Sequence, residues 1–323
     1  MRRIAVLCSG GDGPGMNAAI RSVVRCAIYR KLEVFGVTRG YDGLIKGDLE
    51  EMFATSVSNI LTRGGTILKT ARSKDFMTLE GRKKAAQVLK KHKIDGLVVI
   101  GGNGSFRGAH IFKEDWPGRI IGIPGTIDND ICGSDYTIGA DTAVATALDA
   151  IDKIRDTCTS MERIYVVEVM GRHQPFIAVR VGLSGGAEDV LVPDTEYDIE
   201  RMCDDIKAGR KRGKISWIII VSEGVASAKE VADLITEKTG FETRATVLGH
   251  VQRGGSPSAL DRMLASRMGA AAVEALLKGE TDKMVGIEAD EVRLVGLKEA
   301  CEHSPKKVKL NRELYNITKI LAT

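Results

Sequence analysis

Aromatic residues are scarce in this chain of 323 residues, at 5%, and no apolar run reaches the ~18 residues that a membrane-spanning helix needs. A membrane protein is therefore not expected. Charge of one sign is also missing: 47 Lys+Arg stand against 43 Asp+Glu, a net of only +4. With so few aromatics, that balance is far from a nucleic-acid-binding profile. The six cysteines, Cys8, Cys26, Cys132, Cys158, Cys203 and Cys301, show no CxxC spacing. They read as buried thiols of a reducing compartment, with neither a zinc site nor a disulfide framework. The opening MRRIAVLCSGGDG carries a basic pair, but its short apolar stretch ends in glycines, which predicts a buried strand rather than a signal peptide. Against these absences, 43% of the chain is hydrophobic and 28% charged, enough for a full core and a wet surface. At ~150 residues per domain, two domains and a soluble cytoplasmic protein are expected.

Continuous apolar strands alternate with amphipathic helices. Strands are predicted at Ile4–Cys8, Glu33–Thr38, Gly96–Ile100 and Ile120–Ile123, with helices at Gly15–Tyr29 and Gly81–Lys91. The rhythm then restarts. A helix over Asp141–Arg155 leads to strands at Ile164–Val169, Val190–Val192, Trp217–Val221 and Thr243–Leu248. Helices at Ile199–Lys211 and Ala228–Lys238 lie among them, and a long helix, Ala259–Leu277, precedes a strand near Val285. This pattern predicts parallel sheets covered on both faces. No Pro/Ser-rich linker marks a boundary, and the tail from Pro305 is lysine-rich and then amphipathic. Lys83, Lys84, Lys90 and Lys91 lie among Ala85, Ala86, Val88 and Leu89, as on the solvated face of a helix.

Two glycine-rich turns carry the first chemical signal. Gly10-Gly11-Asp12-Gly13-Pro14-Gly15 joins the first strand to the first helix, and Gly101-Gly102-Asn103-Gly104-Ser105 follows the strand GLVVI. Glycines let the backbone approach a ligand closely, and a helix N-terminus offers unpaired N–H groups to an anion. Either turn alone is equally a tight strand-to-helix connection. Two of them at the carboxyl ends of parallel strands point to a phosphate-rich ligand. Neither is followed by Gly-Lys-Ser/Thr, and Gly102, Gly104 and Gly108 give a spacing one residue too long for the dinucleotide fingerprint. P-loop nucleotidases and NAD enzymes therefore lose weight. After the strand RIIGIP comes Gly125-Thr126-Ile127-Asp128-Asn129-Asp130. Two carboxylates two residues apart can divide labour, one taking a proton from an alcohol and the other helping to hold Mg²⁺.

Six segments together, GGDGPGMNAAIR (10–21), GGNGS (101–105), PGTIDNDI (124–131), MGR (170–172), SEGV (222–225) and LGHVQRGGSPSALDR (248–262), resemble the 6-phosphofructokinase family in its bacterial ATP-dependent form. The resemblance implies an α/β fold of two doubly wound, Rossmann-like parallel-sheet domains with the active site in the cleft between them. Residues 1–138 with 252–305 would form the larger, ATP-binding domain, 139–251 the fructose 6-phosphate domain, and 306–323 a C-terminal tail. The implied reaction is the committed step of glycolysis: transfer of the γ-phosphoryl of Mg²⁺-ATP to the 1-hydroxyl of fructose 6-phosphate.

By the same resemblance Asp128 is the catalytic base, Thr126 orients the transferring group, and Arg72 and Arg172 clamp phosphates. Gly11, Tyr41, Arg72, Gly104, Ser105 and Gly108 would contact the nucleotide, with position 103 and Asp130 near the metal. Arg163, Met170, Gly171, Arg172, Glu223, Arg244, His250 and Arg253, with Thr126 and Asp128, would hold the sugar phosphate. Guanidinium forks suit phosphate oxygens better than ammonium does. Arg163 and Arg244 would serve a neighbouring subunit, implying a homotetramer. Arg21, Arg25, Arg155, Glu188, Arg212 and Lys214 match an effector site for ADP or phosphoenolpyruvate. Diphosphate-dependent relatives carry bulk and charge at the positions of Gly104 and Gly125, so two glycines favour ATP.

Three positions depart from the family pattern. Asn103 stands where aspartate is usual, so an amide replaces an ionised oxygen in a place that a hard cation favours. His173-Gln174-Pro175-Phe176 replaces a small-residue, glycine and aspartate stretch, with proline stiffening the turn. Ala54 stands where an arginine is often found, which predicts a reduced or altered effector response. Two further readings follow: a catalytically impaired homologue acting as a ligand-binding or regulatory subunit, and a sugar-phosphate kinase of altered specificity.

Overall fold

A computed structural model of the chain describes residues 1–193, 195–302 and 311–322. Among them the strands are β1 (Arg3–Ser9), β2 (Glu33–Val37), β3 (Leu49–Met52), β4 (Gly96–Gly101), β5 (Arg119–Thr126) and β6 (Ile138–Gly139), then β7 (Ile164–Val169), β8 (Asp189–Leu191), β9 (Trp217–Ser222), β10 (Thr243–Val247), β11 (Lys283–Glu288) and β12 (Glu291–Gly296). The helices are α1 (Met16–Tyr29), α2 (Gly40–Lys46), α3 (Leu79–Lys91), α4 (Asn103–Asp115), α5 (Ala140–Ser160) and α6 (Phe176–Ser184), then α7 (Ile199–Lys211), α8 (Ala228–Thr239), α9 (Ala259–Leu277), α10 (Leu297–Cys301) and α11 (Arg312–Leu321). The chain divides into two compact units, Met1–Thr142 with Arg253–Lys307 and Ala143–Gln252 with Val308–Thr323.

In the first unit the strand order is β12-β11-β5-β4-β1-β2-β3, with β6 beside β5. The interior pairs β2–β1, β1–β4, β4–β5 and β5–β11 are parallel, whereas the edge strands β3 and β12 run antiparallel. The parallel strands read as unbroken apolar runs because both of their faces are covered. Along β1, Ile4, Val6 and Cys8 face a core shared with Ile20 and Val23 of α1 and Met268 and Val273 of α9. Ala5 and Leu7 face the other core, with Leu44 of α2, Leu89 of α3 and Phe106 of α4. Pleat alternation thus gives one strand to two cores. The antiparallel edges were not legible in advance: Leu49–Met52 and Glu291–Gly296 are short and charged, as exposed edges tend to be.

The second unit holds a smaller sheet, β10-β7-β9-β8, parallel throughout. Ile219 and Val221 of β9 pack with Met202 and Ile206 of α7 and Val231 and Ile235 of α8. The helix α11 falls with this unit, so the amphipathic end of the tail is part of a folded body; its lysine-rich beginning, 305–310, lies outside the described residues. All six cysteines are free, five of them buried and Cys26 half-buried. Burial pushes the Cys8 thiol up to about 12, so it packs as an apolar group. Among the described residues no helix is long and apolar enough to cross a membrane.

Candidate active site

Within the first unit, the turns that leave β1, β4 and β5 line one cavity of about 410 Å³. Its wall includes Gly10, Gly11, Tyr41, Arg72, Gly104 and Asp128. Asn103, Ser105, Gly108, Gly125, Thr126, Asp130 and Arg253 complete the residues that the sequence pointed to there. This is the carboxyl edge of the parallel sheet, where the strand geometry delivers loops and helix N-termini to a common place. The cap residue of α4, Gly102, makes no side-chain hydrogen bond to the helix. The Ser105 N–H donates to the Gly102 carbonyl at 3.0 Å, which leaves the N–H groups of Asn103 and Gly104 to meet an anion, with the helix dipole behind them.

Glycine is required at particular points of this wall. A Cβ on Gly11 would stand 2.6 Å from Nη1 of Arg253, whose guanidinium lies along that turn and donates to the Asp12 carbonyl at 2.9 Å. A Cβ on Gly104 would meet nothing within 4 Å, so the space beyond it is open. Gly125 differs from expectation. Its missing Cβ faces Met16 and Ile100, at 3.1 and 3.2 Å. Core packing demands that glycine, and the open space of the wall lies beside Gly104.

Tyr41 forms the side wall. Its ring stacks on Phe76 at 3.9 Å and 9°, and its hydroxyl donates to the Ser105 carbonyl at 2.7 Å. Burial pushes its phenol far above the usual range, so it is a fixed neutral donor. Ser105 in turn donates to the Ser9 carbonyl at 2.9 Å, tying the β1 and β4 turns together. Phe76, on a single turn of 3₁₀ helix, carries no sequence signal for this role.

The loop after β5 is held by Asn129. It adopts a left-handed φ of 49° and is buried. Its Oδ1 accepts from the Thr137 N–H at 2.8 Å, and its Nδ2 donates to the Asp135 carbonyl at 3.0 Å. An Asn pinned at both ends fixes its neighbours on either side, and those neighbours are Asp128 and Asp130, which line the cavity. The Asp128 N–H donates to Thr126 Oγ1 at 3.3 Å. Asn103 Nδ2 donates to Asp130 Oδ2 at 2.7 Å, so the residue that departs from the family pattern bonds a carboxylate that an aspartate there would repel. Asn129 sits between the two acids in the sequence, and that position was the available signal.

The second unit carries the rest of the expected residues. Arg163 at the start of β7 pairs with Glu242 at 2.9 Å, and Arg244 on β10 pairs with the other oxygen of the same carboxylate. Glu242, two residues before Arg244, was not singled out beforehand. Met170 and Gly171 follow β7. Gly171 has a φ of 137°, and its carbonyl accepts from Ser222 at 2.5 Å. Arg172 lies on the next turn, and a Cβ on Gly224 would stand only 1.8 Å from the Arg172 carbonyl oxygen. Glu223 is exposed, with its N–H donating to Val169, and His250 is exposed. Of the effector set, Arg155 donates to the Gly185 and Gly186 carbonyls, and Glu188 pairs with Lys214 at 3.3 Å. Arg212 caps α7. Arg21 and Arg25 belong to α1 in the first unit.

No group of three or more His, Cys, Asp or Glu side chains among the described residues is arranged to hold a metal. The cavity nonetheless suits Mg²⁺, which binds through one or two carboxylates together with substrate phosphates rather than in a full protein cage. Asp130, which lines the cavity, would supply such a carboxylate.

Residues 3–276 match the family model described as phosphofructokinase. The chain is 52% identical, over the full length of both chains, to "ATP-dependent 6-phosphofructokinase" of Brevibacillus brevis, and equally to that of a Thermoanaerobacter species. Phosphofructokinase from Saccharomyces cerevisiae superposes with a TM-score of 0.90 at 36% identity, over the whole of this chain, which spans 48% of the yeast chain. A pyrophosphate-dependent phosphofructokinase from Marinobacter aquaeolei, at 22% identity and a TM-score of 0.85, shares the fold.

Proposed function

We infer that this chain, which belongs to the phosphofructokinase family, transfers the γ-phosphoryl group of ATP to the 1-hydroxyl of fructose 6-phosphate. The products are fructose 1,6-bisphosphate and ADP. The observation that carries this reading is the convergence, in one cavity, of two glycine turns with the Thr126–Asp130 loop. Phosphoryl transfer asks for position and charge neutralisation more than for covalent chemistry. Asp128 takes the proton of the attacking hydroxyl, and Thr126 orients the phosphoryl group. Arg72 and Arg172 offset the charge on the equatorial oxygens. Gly11, Gly104, Ser105 and Gly108 allow the nucleotide phosphates onto the backbone N–H groups of the turns, beside Tyr41.

The sugar phosphate is assigned to Arg163, Met170, Gly171, Glu223, Arg244, His250 and Arg253. Glu242 holds Arg163 and Arg244 in orientation until a phosphate dianion arrives. A homotetramer in the cytoplasm, with Arg163 and Arg244 serving a neighbouring copy, completes the reading. ADP or phosphoenolpyruvate would act on Arg21, Arg25, Arg155, Glu188, Arg212 and Lys214. Mg²⁺ supplies charge neutralisation at the phosphates when bound, with Asp130 and the Asn103 amide as the chain's own oxygen donors. The Asn103–Asp130 bond keeps the carboxylate in place, so the amide is compatible with turnover.

The test is fructose 6-phosphate phosphorylation with saturating Mg²⁺-ATP, run beside diphosphate as donor. ATP-only turnover is expected. Negligible turnover, with both ligands still bound, would overturn catalysis in favour of a ligand-binding subunit, and diphosphate-driven turnover would overturn the donor.

A further inference from the structure

At the opposite end of the same strands lies a second and larger cavity, of about 780 Å³, lined by Met1, Lys83, Ala86, Gln87, Lys90, Lys93, Ile94, Asp95 and the run Asp115–Arg119. β4 has its Gly101 end at the glycine cavity, and the residues just before its Gly96 end lie here. Six strand residues separate them, about 20 Å. The helix α4 likewise begins in one cavity at Asn103 and ends in the other at Asp115.

The charges around this cavity do not cancel. Asp115 is committed to Arg82 at 2.5 Å, and Asp95 accepts the backbone N–H groups of Arg2 and Arg3 at 2.5 and 3.1 Å. On α3, Lys84 is taken by Glu80. The side chains of Lys83 and Lys90, together with that of Lys93 beyond the helix, make no hydrogen bond or ion pair among the described residues. Lys83, Ala86, Gln87 and Lys90 recur at helical spacing, so one stripe of α3 faces the cavity. The solvated face that the sequence suggested is therefore also the wall of a concavity.

Trp116 supplies the floor. The residue is only 4% exposed, and Gly118 folds against its indole so tightly that a Cβ there would stand 2.1 Å from the ring. Its N–H has no hydrogen-bond partner among the described residues, yet no buried polar side-chain atom is left unsatisfied. That nitrogen must therefore look out through the little surface the residue keeps. The chain's other tryptophan differs: Trp217 donates to Asp189 at 3.3 Å. An apolar floor, an open N–H and three unpaired ammonium groups are the complement of an organic anion. The volume lies in the range of small-molecule sites, ~300–1,000 Å³.

We propose that this cavity is a second binding site, for a small organic anion with an aromatic or apolar body. The body lies on Trp116, Ala86 and Ile94, and the anionic group meets Lys83, Lys90 and Lys93.

The probe is 8-anilinonaphthalene-1-sulfonate, counted by equilibrium dialysis against the full chain, Lys83→Glu/Lys90→Glu, and Gln87→Phe, which fills the cavity. All three substituted residues are exposed, and melting curves establish that each variant is folded. We expect one equivalent whose affinity falls at least about tenfold in both variants, through lost charged hydrogen bonds in the lysine variant and through lost space in Gln87→Phe. Probe bound at the glycine cavity is insensitive to these substitutions, so the two sites separate. Indistinguishable isotherms for the three proteins would overturn the proposal. Inorganic phosphate should displace the probe only at concentrations at least tenfold above the probe's own Kd. Displacement at equal concentration would overturn the part played by the apolar body.

Discussion

The two units position their charged groups by opposite means. In the first, the cavity is shaped by what is missing: side chains at Gly11 and Gly104, and a capping side chain at α4. Its anions and hydroxyls are pinned by backbone bonds through Asn129, Tyr41 and Ser105. In the second, arginines lie near the surface and are held by a carboxylate, as Glu242 holds Arg163 and Arg244. Preorganised dipoles cost nothing to reorient when charge develops, whereas an ion pair must be broken before its arginine can turn to a substrate. The first arrangement suits the reacting group. The second suits capture of a soluble dianion.

The sharpest break of this contrast is Asp128→Asn. Removing the base should lower kcat by roughly 10³-fold, with nucleotide binding by calorimetry unchanged; a loss below tenfold would take Asp128 out of the proton transfer. Next, one methyl group separates the units. Gly224→Ala presses a Cβ onto the Arg172 backbone carbonyl and should cost about 3 kcal/mol or more in urea unfolding. Gly11→Ala meets the end of the Arg253 side chain, whose Nη1 donates to the Asp12 carbonyl, and no backbone. It should cost no more than about 1 kcal/mol in unfolding, one hydrogen bond, while weakening ATP binding about tenfold. If both variants lose stability alike, the first cavity is not a backbone-built site.

Asn103→Asp probes the bond to Asp130. Two carboxylate oxygens at the present 2.7 Å spacing must share a proton or take a cation. Expected is a loss of about 1–2 kcal/mol at pH 7 in chelator, regained with Mg²⁺, and no such dependence is expected of the natural chain. Melting curves with and without Mg²⁺ decide it.

The smallest effect is pH-linked and belongs to the second unit. Burial pushes the Asp189 carboxyl up to about 6, against the partial help of the Trp217 N–H. A carboxyl raised in the folded state binds its proton more tightly there than in the unfolded chain, whose pKa is ~3.9. Its contribution is therefore full below about pH 4 and is lost as pH rises through about 6. Between pH 4 and 7 the natural chain should lose on the order of 2 kcal/mol relative to Asp189→Asn, read from urea midpoints. Parallel pH profiles for the two proteins would count against a raised Asp189.

Much of this was legible in the residues themselves. Unbroken apolar runs gave the buried parallel strands, because only a strand covered on both faces tolerates them, and 3.6-residue spacing gave the helices between. The glycine turns and the acid pair stood out for the same reason: local backbone geometry and local charge are written in contiguous residues. What tertiary structure decided was everything that joins distant ones. Phe76 reaches Tyr41 across 35 positions only because two loops meet, and Glu242 finds Arg163 only because β10 lies beside β7. The true orientation of Gly125, toward Met16 and Ile100, depends on which face of β5 the core occupies. The emptiness beside Trp116 likewise exists only once α3 and α4 have packed. Sequence fixes what each residue can do; the packed sheet chooses its partners, because contact between remote segments is set by the shape of the whole core.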